Sequence, residues 1–382
     1  MQVLAVDLGF GFTKATNGDR SLIFKSLIGE ADQQQFARQS LLPPATQDHL
    51  HFEFDEAGVF IGDMAERQSN VRSFTLDQNR FISESAVTLT LAALSRIATP
   101  DEPIGLVTGL PISEFSSWSD ELSRTLRGEH LFHAIDERGE REEVRLDIPE
   151  VQVIPQPFGS MYELLLNDHG EVADRRLMQE KIGIIDVGFQ TADFTISDRT
   201  NFLERGSQST DSGIARAFSL IATKLREKSG VNIEVYRLYD AVERGRIKIR
   251  GKSFDLAKLT EHVMSQLATE IATTANELWA DDWDIDSIVV SGGGGAVLAP
   301  YITPLVQGRV LAVETGRDHR LNNVQGFIKF GHHVWAGQAS RVSASATEVL
   351  PDGATEATFE ASNGGDVRRE AEEASVSTAR SV

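Results

Sequence analysis

The chain has 382 residues, enough for two domains with full apolar cores, and its 41% hydrophobic and 25% charged content is that of an ordinary soluble globular protein. It has no cysteine, which excludes disulfides, thiolate catalysis and thiolate metal sites together, and its nine histidines include no His-x-x-x-His pair with a supporting acid. The net charge of −20 argues against direct, extended contact with nucleic acid; no basic patch or aromatic stacking platform stands out, and a DNA target would need a basic adaptor.

Met1 passes straight into a strand-like segment, residues 2–7, with no basic n-region and no cleavage site, so cytoplasm is the expected compartment. No apolar run approaches the roughly 20 residues that cross a bilayer. The first strand, 3–6, ends in Asp7-Leu8-Gly9-Phe10-Gly11-Phe12-Thr13-Lys14, followed by the hairpin signal Asn17-Gly18. Strands follow at 105–108 and 151–154, the second running into Pro155-Gln156-Pro157 and a helix through Leu166, which puts Gln156 at a helix entrance. A strand at 182–185 ends in Asp186-Val187-Gly188-Phe189-Gln190-Thr191-Ala192-Asp193 and a turn over 197–201. Helical spacing continues through Ile214, Phe218, Ile221 and Leu225 after Ser212-Gly213, and through Leu256, Leu259, Val263, Leu267 and Ile271. These apolar stripes read as core rather than binding faces. Strand 287–290 then runs into Ser291 and four glycines, 292–295. The alternation of short strands and helices predicts an α/β fold.

From about residue 340 the composition shifts to Ala, Ser, Thr, Glu and Gly, with eight acids against four arginines, a net −4. Such a segment buries too little apolar area to offset its ordering entropy, and a disordered acidic tail is expected over 341–382.

Two stretches echo each other: Asp7-Leu8-Gly9-Phe10 and Asp186-Val187-Gly188-Phe189, each after an apolar strand, 179 positions apart. A triphosphate with Mg²⁺ needs backbone amides that glycine lets come close, and carboxylates for a metal that keeps most of its waters. An Asp at a strand end before a Gly-containing hairpin offers both, and Lys14 adds a cation. Either copy alone reads equally as a plain hairpin; two in register suggest a duplicated fold clamping phosphates. The four glycines read either as a linker or as a flat surface for an adenosine. Gln156 can orient a water for in-line attack but cannot take a proton from a substrate hydroxyl.

Together these elements resemble the actin, sugar kinase and heat-shock chaperone ATPase superfamily, and within it the ParM/StbA group of plasmid-segregation proteins. Val107-Thr108-Gly109-Leu110-Pro111 and Gly326-Phe327-Ile328-Lys329-Phe330-Gly331 are similar to segments of that group. The resemblance implies two actin-like (ribonuclease H-like) domains around an interdomain nucleotide cleft: domain I at 1–155 with a terminal helix at about 325–340, and domain II at 156–324. It implies ATP and Mg²⁺ as ligands. Asp7, Gly9, Gly11, Thr13 and Lys14 fall on the first phosphate motif, and Gly188, Thr191 and Asp193 with Asp186 on the second. Ser212 and Gly213 match a turn near the ribose, Gly292, Gly293 and Gly294 the adenosine motif, and Glu243 flanks the base. Asp7 and Asp186 hold Mg²⁺ through water, and Gln156 and Asp186 act on the attacking water. Phe10 and Phe189 depart from the family pattern, and Gln156 stands where ParM has Glu.

The implied function is a filament-forming ATPase that segregates DNA through an adaptor. Rivals are a small-molecule kinase of the same fold, which needs an Asp as general base, a chaperone ATPase, for which only the polar tail remains as a substrate domain, and a nucleotide-binding scaffold with little turnover.

Overall fold

The computed structural model describes residues 1–31, 49–69, 72–74, 84–311 and 318–347. In its first half β1 (Gln2–Leu8), β2 (Phe12–Thr16) and β3 (Ser21–Lys25) form a meander, followed by β4 (Leu27–Glu30), β5 (His51–Phe54), β6 (Ala57–Ile61), α1 (Asp63–Gln68), β7 (Arg72–Phe74) and α2 (Glu84–Ile97). Then come β8 (Ile104–Leu110), α3 (Ile112–Leu126), β9 (Gly128–Ile135), β10 (Arg141–Ile148), β11 (Glu150–Pro155) and α4 (Phe158–Leu165). The second half has β12 (Lys181–Val187), β13 (Ala192–Asp198), β14 (Asn201–Thr210), α5 (Ile214–Ser229), α6 (Tyr239–Glu243), β15 (Arg246–Ile249) and β16 (Lys252–Asp255). It ends with α7 (Ala257–Leu278), β17 (Ser287–Ser291), α8 (Gly293–Ile302), β18 (Val310–Leu311) and α9 (Asn322–Thr347).

Two of the sheets share one plan. The first runs β11-β8-β1-β2-β3, and the other, taken from its far edge, β18-β17-β12-β13-β14. In each, a central strand has a parallel neighbour on one side and an antiparallel hairpin partner on the other. All seven residues of β8 and of β12 are buried, as strands covered on both faces require. The apolar stripe read from sequence on α7 faces inward: Val263, Met264, Leu267, Ala268, Ile271, Ala272 and Ala275 are buried. The expected duplication is therefore one of topology as well as of motif.

α9 extends the expected terminal helix at both ends. It packs Trp335 against Gly105 of β8, and its Gly326 lies against Gly159 of α4. A Cβ on Gly326 would overlap the Gly159 carbonyl oxygen, so the two helix backbones touch with no room for a side chain.

Three sequence expectations need correction. The linker reading of the four glycines does not hold: α8 begins at Gly293, so three of them form its first turn. The chain also has a basic patch after all, because pairing of β15 with β16 sets exposed Arg246 and Lys248 on the face opposite Ile247, Ile249 and Phe254, with Asp255 across from Arg246 and with exposed Arg244, Arg250 and Lys252 near the ends of the strands. Alternation along a strand interleaves these cations with apolar residues, which hides them from a search for a basic run. α9 continues through Thr347, so residues 341–347 of the tail expected over 341–382 are helical, and from residue 348 onward the tail lies outside the described residues. Among the described residues no helix is long and apolar enough to cross a membrane.

Gly326→Ala is expected to destabilise the fold by about 1–3 kcal/mol, since the clash is with backbone and cannot be relieved by a rotamer change. Urea denaturation at equilibrium measures it, and an unchanged midpoint would contradict the close helix contact.

Candidate functional site

The two hairpins repeat each other in register. Asp7 pairs with Lys14 across β1 and β2, and Asp186 with Asp193 across β12 and β13. The turns close with the same hydrogen bond, Gly9 N–H to the Phe12 carbonyl at 3.1 Å and Gly188 N–H to the Thr191 carbonyl at 2.9 Å. The tips meet: a Cβ on Gly11 would come within 2.7 Å of the Phe189 ring. Phe189, an exception to the family pattern, thus fills the space opposite a glycine.

Both hairpins line one cleft, with Asp7, Gly9, Gly11, Lys14, Gly188, Thr191 and Asp193 among its walls, and with Gln156, Asp186, Gly292, Gly293 and Gly294. Of the other residues singled out from sequence, Thr13 is fully buried and shares a 2.9 Å hydrogen bond with Ser26. Ser212 turns away to donate to Glu270 at 2.9 Å. Gly213 packs directly on the backbone of Phe189 and Gln190, and the first amides of α5 bond to the second hairpin's carbonyls. These three support the loops without lining the cleft. Glu243 ends α6, but its side chain lies outside the described residues.

Three carboxylates are buried here: Asp7 at 2%, Asp186 at 5% and Asp193 at 3% exposure. Lys14 Nζ donates to Asp7 at 2.9 Å, and the Gln156 amide donates to Asp7 at 2.7 Å and to the Leu8 carbonyl at 3.0 Å. Asp186 accepts from Asn323 at 2.7 Å and from Ser291 at 3.3 Å. Asp193 accepts from Ser209 and from the Ile112 amide at the start of α3. Burial pushes the Asp186 carboxyl up to about 6, opposed by the Asn323 hydrogen bond and reinforced by the Asp7 charge. Burial pushes Asp193 up to about 7, opposed by Ser209 and reinforced by Asp186. One lysine among three buried acids leaves an electrostatic deficit that a divalent cation fits. Among the described residues no three acids or histidines converge as direct ligands, which suits a hydrated Mg²⁺ held through one or two acids.

Sequence reading missed Asn323, Arg320 and Tyr239. Asn323 stands 137 residues from the Asp186 it binds and is itself held by Ser160 at 2.6 Å. Arg320 lies over the rings of Phe12 and Tyr239, at 5.1 and 5.8 Å, and Tyr239 donates to the Gly293 carbonyl at 3.1 Å. No local pattern signals them; a buried asparagine one turn before Gly326 is the nearest hint. The family-like Gly109 has a plain reason, because a Cβ there would meet Phe327 at 2.5 Å and Gln156 at 3.1 Å.

The raised carboxyls set a pH dependence. Both bind protons more tightly folded than at the ordinary value of 3.8, so the stability they contribute is whole below that value and is lost as pH rises through about 6 and 7. In the nucleotide-free protein, the drop in stability between about pH 5.5 and about pH 7.5 is expected to be smaller in Asp193→Asn than in the native chain. Urea midpoints at both pH values test it; equal drops would refute the buried-acid account.

A family model for the N-terminal domain of actin-like proteins matches residues 5–159, and one for the C-terminal domain of an archaeal MreB-like actin homologue matches residues 184–303. Among solved structures, the chain is similar to the ParM of a 15-stranded filament from Clostridium botulinum, with 25% identity, TM-score 0.68, and 86% of this chain and 98% of that chain covered. It shares its fold with an archaeal actin homologue in complex with ADP (18% identity, TM-score 0.71, coverage 88% and 100%) and with Bacillus thuringiensis ParM with AMPPNP (15%, 0.65, 89% and 100%). No curated protein matches it. Two family models in the right order, over two sheets of one topology, identify the chain as a member of the actin-like proteins, with the fold of ParM filament subunits and archaeal actin homologues.

Proposed function

We propose that this chain binds ATP with Mg²⁺ in the cleft, hydrolyses it slowly, and polymerises into filaments that segregate plasmid or other DNA in the cytoplasm through a DNA-bound adaptor. The observation that carries the reading is the pair of hairpins in identical register, touching at their tips and turning Asp7 and Asp186 into one cleft. The nucleotide complexes of two fold relatives and the filament of a third support it. The domain division proposed is 1–155 with the terminal helix against 156–324.

Asp7 and Asp186 would hold hydrated Mg²⁺, which supplies positive charge to phosphate oxygens. Gly9, Gly11, Gly188 and Thr191 offer close backbone approach on two sides. Gly292, Gly293 and Gly294 present a flat wall to the adenosine. Gln156 has its amide nitrogen committed to Asp7 and Leu8, so its side-chain oxygen is the atom left to orient a water. Asp186, held by Asn323 and Ser291, polarises that water. Closure of the cleft on assembly would bring Gln156 and its water toward attack, which makes turnover faster in filaments than in monomers.

One observation favours a second reading. Asp193 lines the cleft with its carboxyl pushed up to about 7, a value suited to a general base in a small-molecule kinase. Ultracentrifugal pelleting with and without ATP–Mg²⁺ separates the two. Nucleotide-dependent polymer supports the filament; a soluble protein that consumes ATP only on addition of a sugar or acid supports the kinase.

Asp186→Ala is expected to bind ATP but release phosphate at least about a hundredfold more slowly, leaving stable polymer. An unchanged phosphate-release rate would remove Asp186 from the mechanism. Asp7→Ala is expected to lose Mg²⁺-dependent ATP affinity in an equilibrium binding assay, and native affinity there would count against the first hairpin.

A further inference from the structure

α7 carries a different feature at each end. At its start the β15–β16 hairpin exposes Arg244, Arg246, Lys248, Arg250 and Lys252, five cations within nine positions of a chain of net charge −20. Ile247, Ile249 and Phe254 anchor the ribbon in the core of the second half. Arg250 and Gly251 take φ angles of 46° and 84° in the two-residue turn, the positive-φ pair of a type I′ hairpin, so the ribbon is stiff. Among the described residues none of the five cations forms an ion pair, although Asp255 stands across the ladder from Arg246.

At the far end of α7 the chain turns into β17 and exposes Trp283 at 89%. The loop is rigid. Lys181 Nζ donates to Asp282 at 2.6 Å and to Asp284 at 2.7 Å, and Arg205 adds two hydrogen bonds to Asp282. Leu305, 42% exposed, is tied to the same end by a 2.9 Å hydrogen bond from Asn276 to its carbonyl. Asp281, Asp284 and Asp286, all exposed, flank Trp283 in the sequence; Asp284 is held by Lys181 Nζ and Asp286 by the Lys181 amide, and even with Lys181 and Arg205 the loop keeps an excess of acids. An indole held out on a braced loop beside a leucine has the character of an interface anchor.

The two features flank opposite ends of α7, whose 22 residues span about 33 Å, so they do not meet within one chain. We propose that the basic hairpin of one copy docks on the Trp283 loop of the next. This rests on the self-assembly reading above and names its contact. Arginine over an indole face gains cation–π energy, and the flanking carboxylates match the remaining cations. The two patches differ and lie at opposite ends of a rod, so the contact is heterologous and repeats along the α7 direction as an open polymer. A second copy of this chain is thereby the occupant, and its acidic surface elsewhere keeps other approaches repulsive.

A charge-exchange cycle tests it, with pelleting in ATP–Mg²⁺ as readout and nucleotide affinity as the folding control. The hairpin variant Arg246→Glu/Lys248→Glu/Arg250→Glu, the loop variant Asp281→Arg, which leaves the Lys181 brace intact, and Trp283→Ala are each expected to bind nucleotide as the native chain does. Each is expected to need at least about tenfold more protein to form polymer. An equimolar mixture of the hairpin and loop variants is expected to recover polymer, because each then offers its partner the opposite charge. Native polymerisation in the variants, or no recovery in the mixture, would overturn the contact while leaving the filament reading intact. Failure of the native chain to pellet would remove both. Loss of double-stranded DNA retention by the hairpin variant, with pelleting unchanged, would give the hairpin to nucleic acid instead.

Discussion

Three carboxylates are buried around a single lysine in this molecule, and a charge in a low-dielectric interior survives only where hydrogen bonds and opposite charges replace its water. Each acid is satisfied by a different part of the chain. Asp7 takes Lys14 from β2 and Gln156 from the entrance of α4. Asp186 takes Ser291 from the end of β17 and Asn323 from α9, and Asp193 takes Ser209 and the first amide of α3. The site is therefore where nine elements are stitched together. Its residual negative charge costs stability in the free protein and favours a divalent cation, the usual trade of stability for function.

The hairpins are alike in backbone and unlike in charge. Position for position, Lys14 in the first corresponds to Asp193 in the second, because both are the cross-strand partner of the strand-end acid. A duplicated frame thus gives one wall with an Asp–Lys ion pair and one with two acids. Contact of Gly11 with Phe189 fixes the distance between them, and a side chain at Gly11 would push the walls apart.

A second close contact lies beneath the cleft. α4 and α9 touch at Gly159 and Gly326, and the same two helices carry Ser160 and Asn323, which link to each other and to Asp186. Gln156 stands two residues before α4. A small shift of one helix on the other therefore reaches both residues proposed to act on the attacking water.

The periods and punctuation of the chain were enough to place the strands that end in Asp7, Asp186 and Ser291, the α7 stripe, and Gln156 at a helix start. All of that is local chemistry: β-branched runs, three- and four-residue spacing, and glycine or proline at the ends. The register echo of the two hairpins was legible for the same reason. Folding alone decided the rest. Asn323 reaches Asp186 across 137 positions, Ser212 turns to Glu270 and not to the cleft, and Phe189 finds Gly11. The cations of β15 and β16 become a patch only when the strands pair and their apolar residues turn inward. Local sequence fixes which way the backbone runs; which side chains share a space depends on contacts that no window of sequence contains.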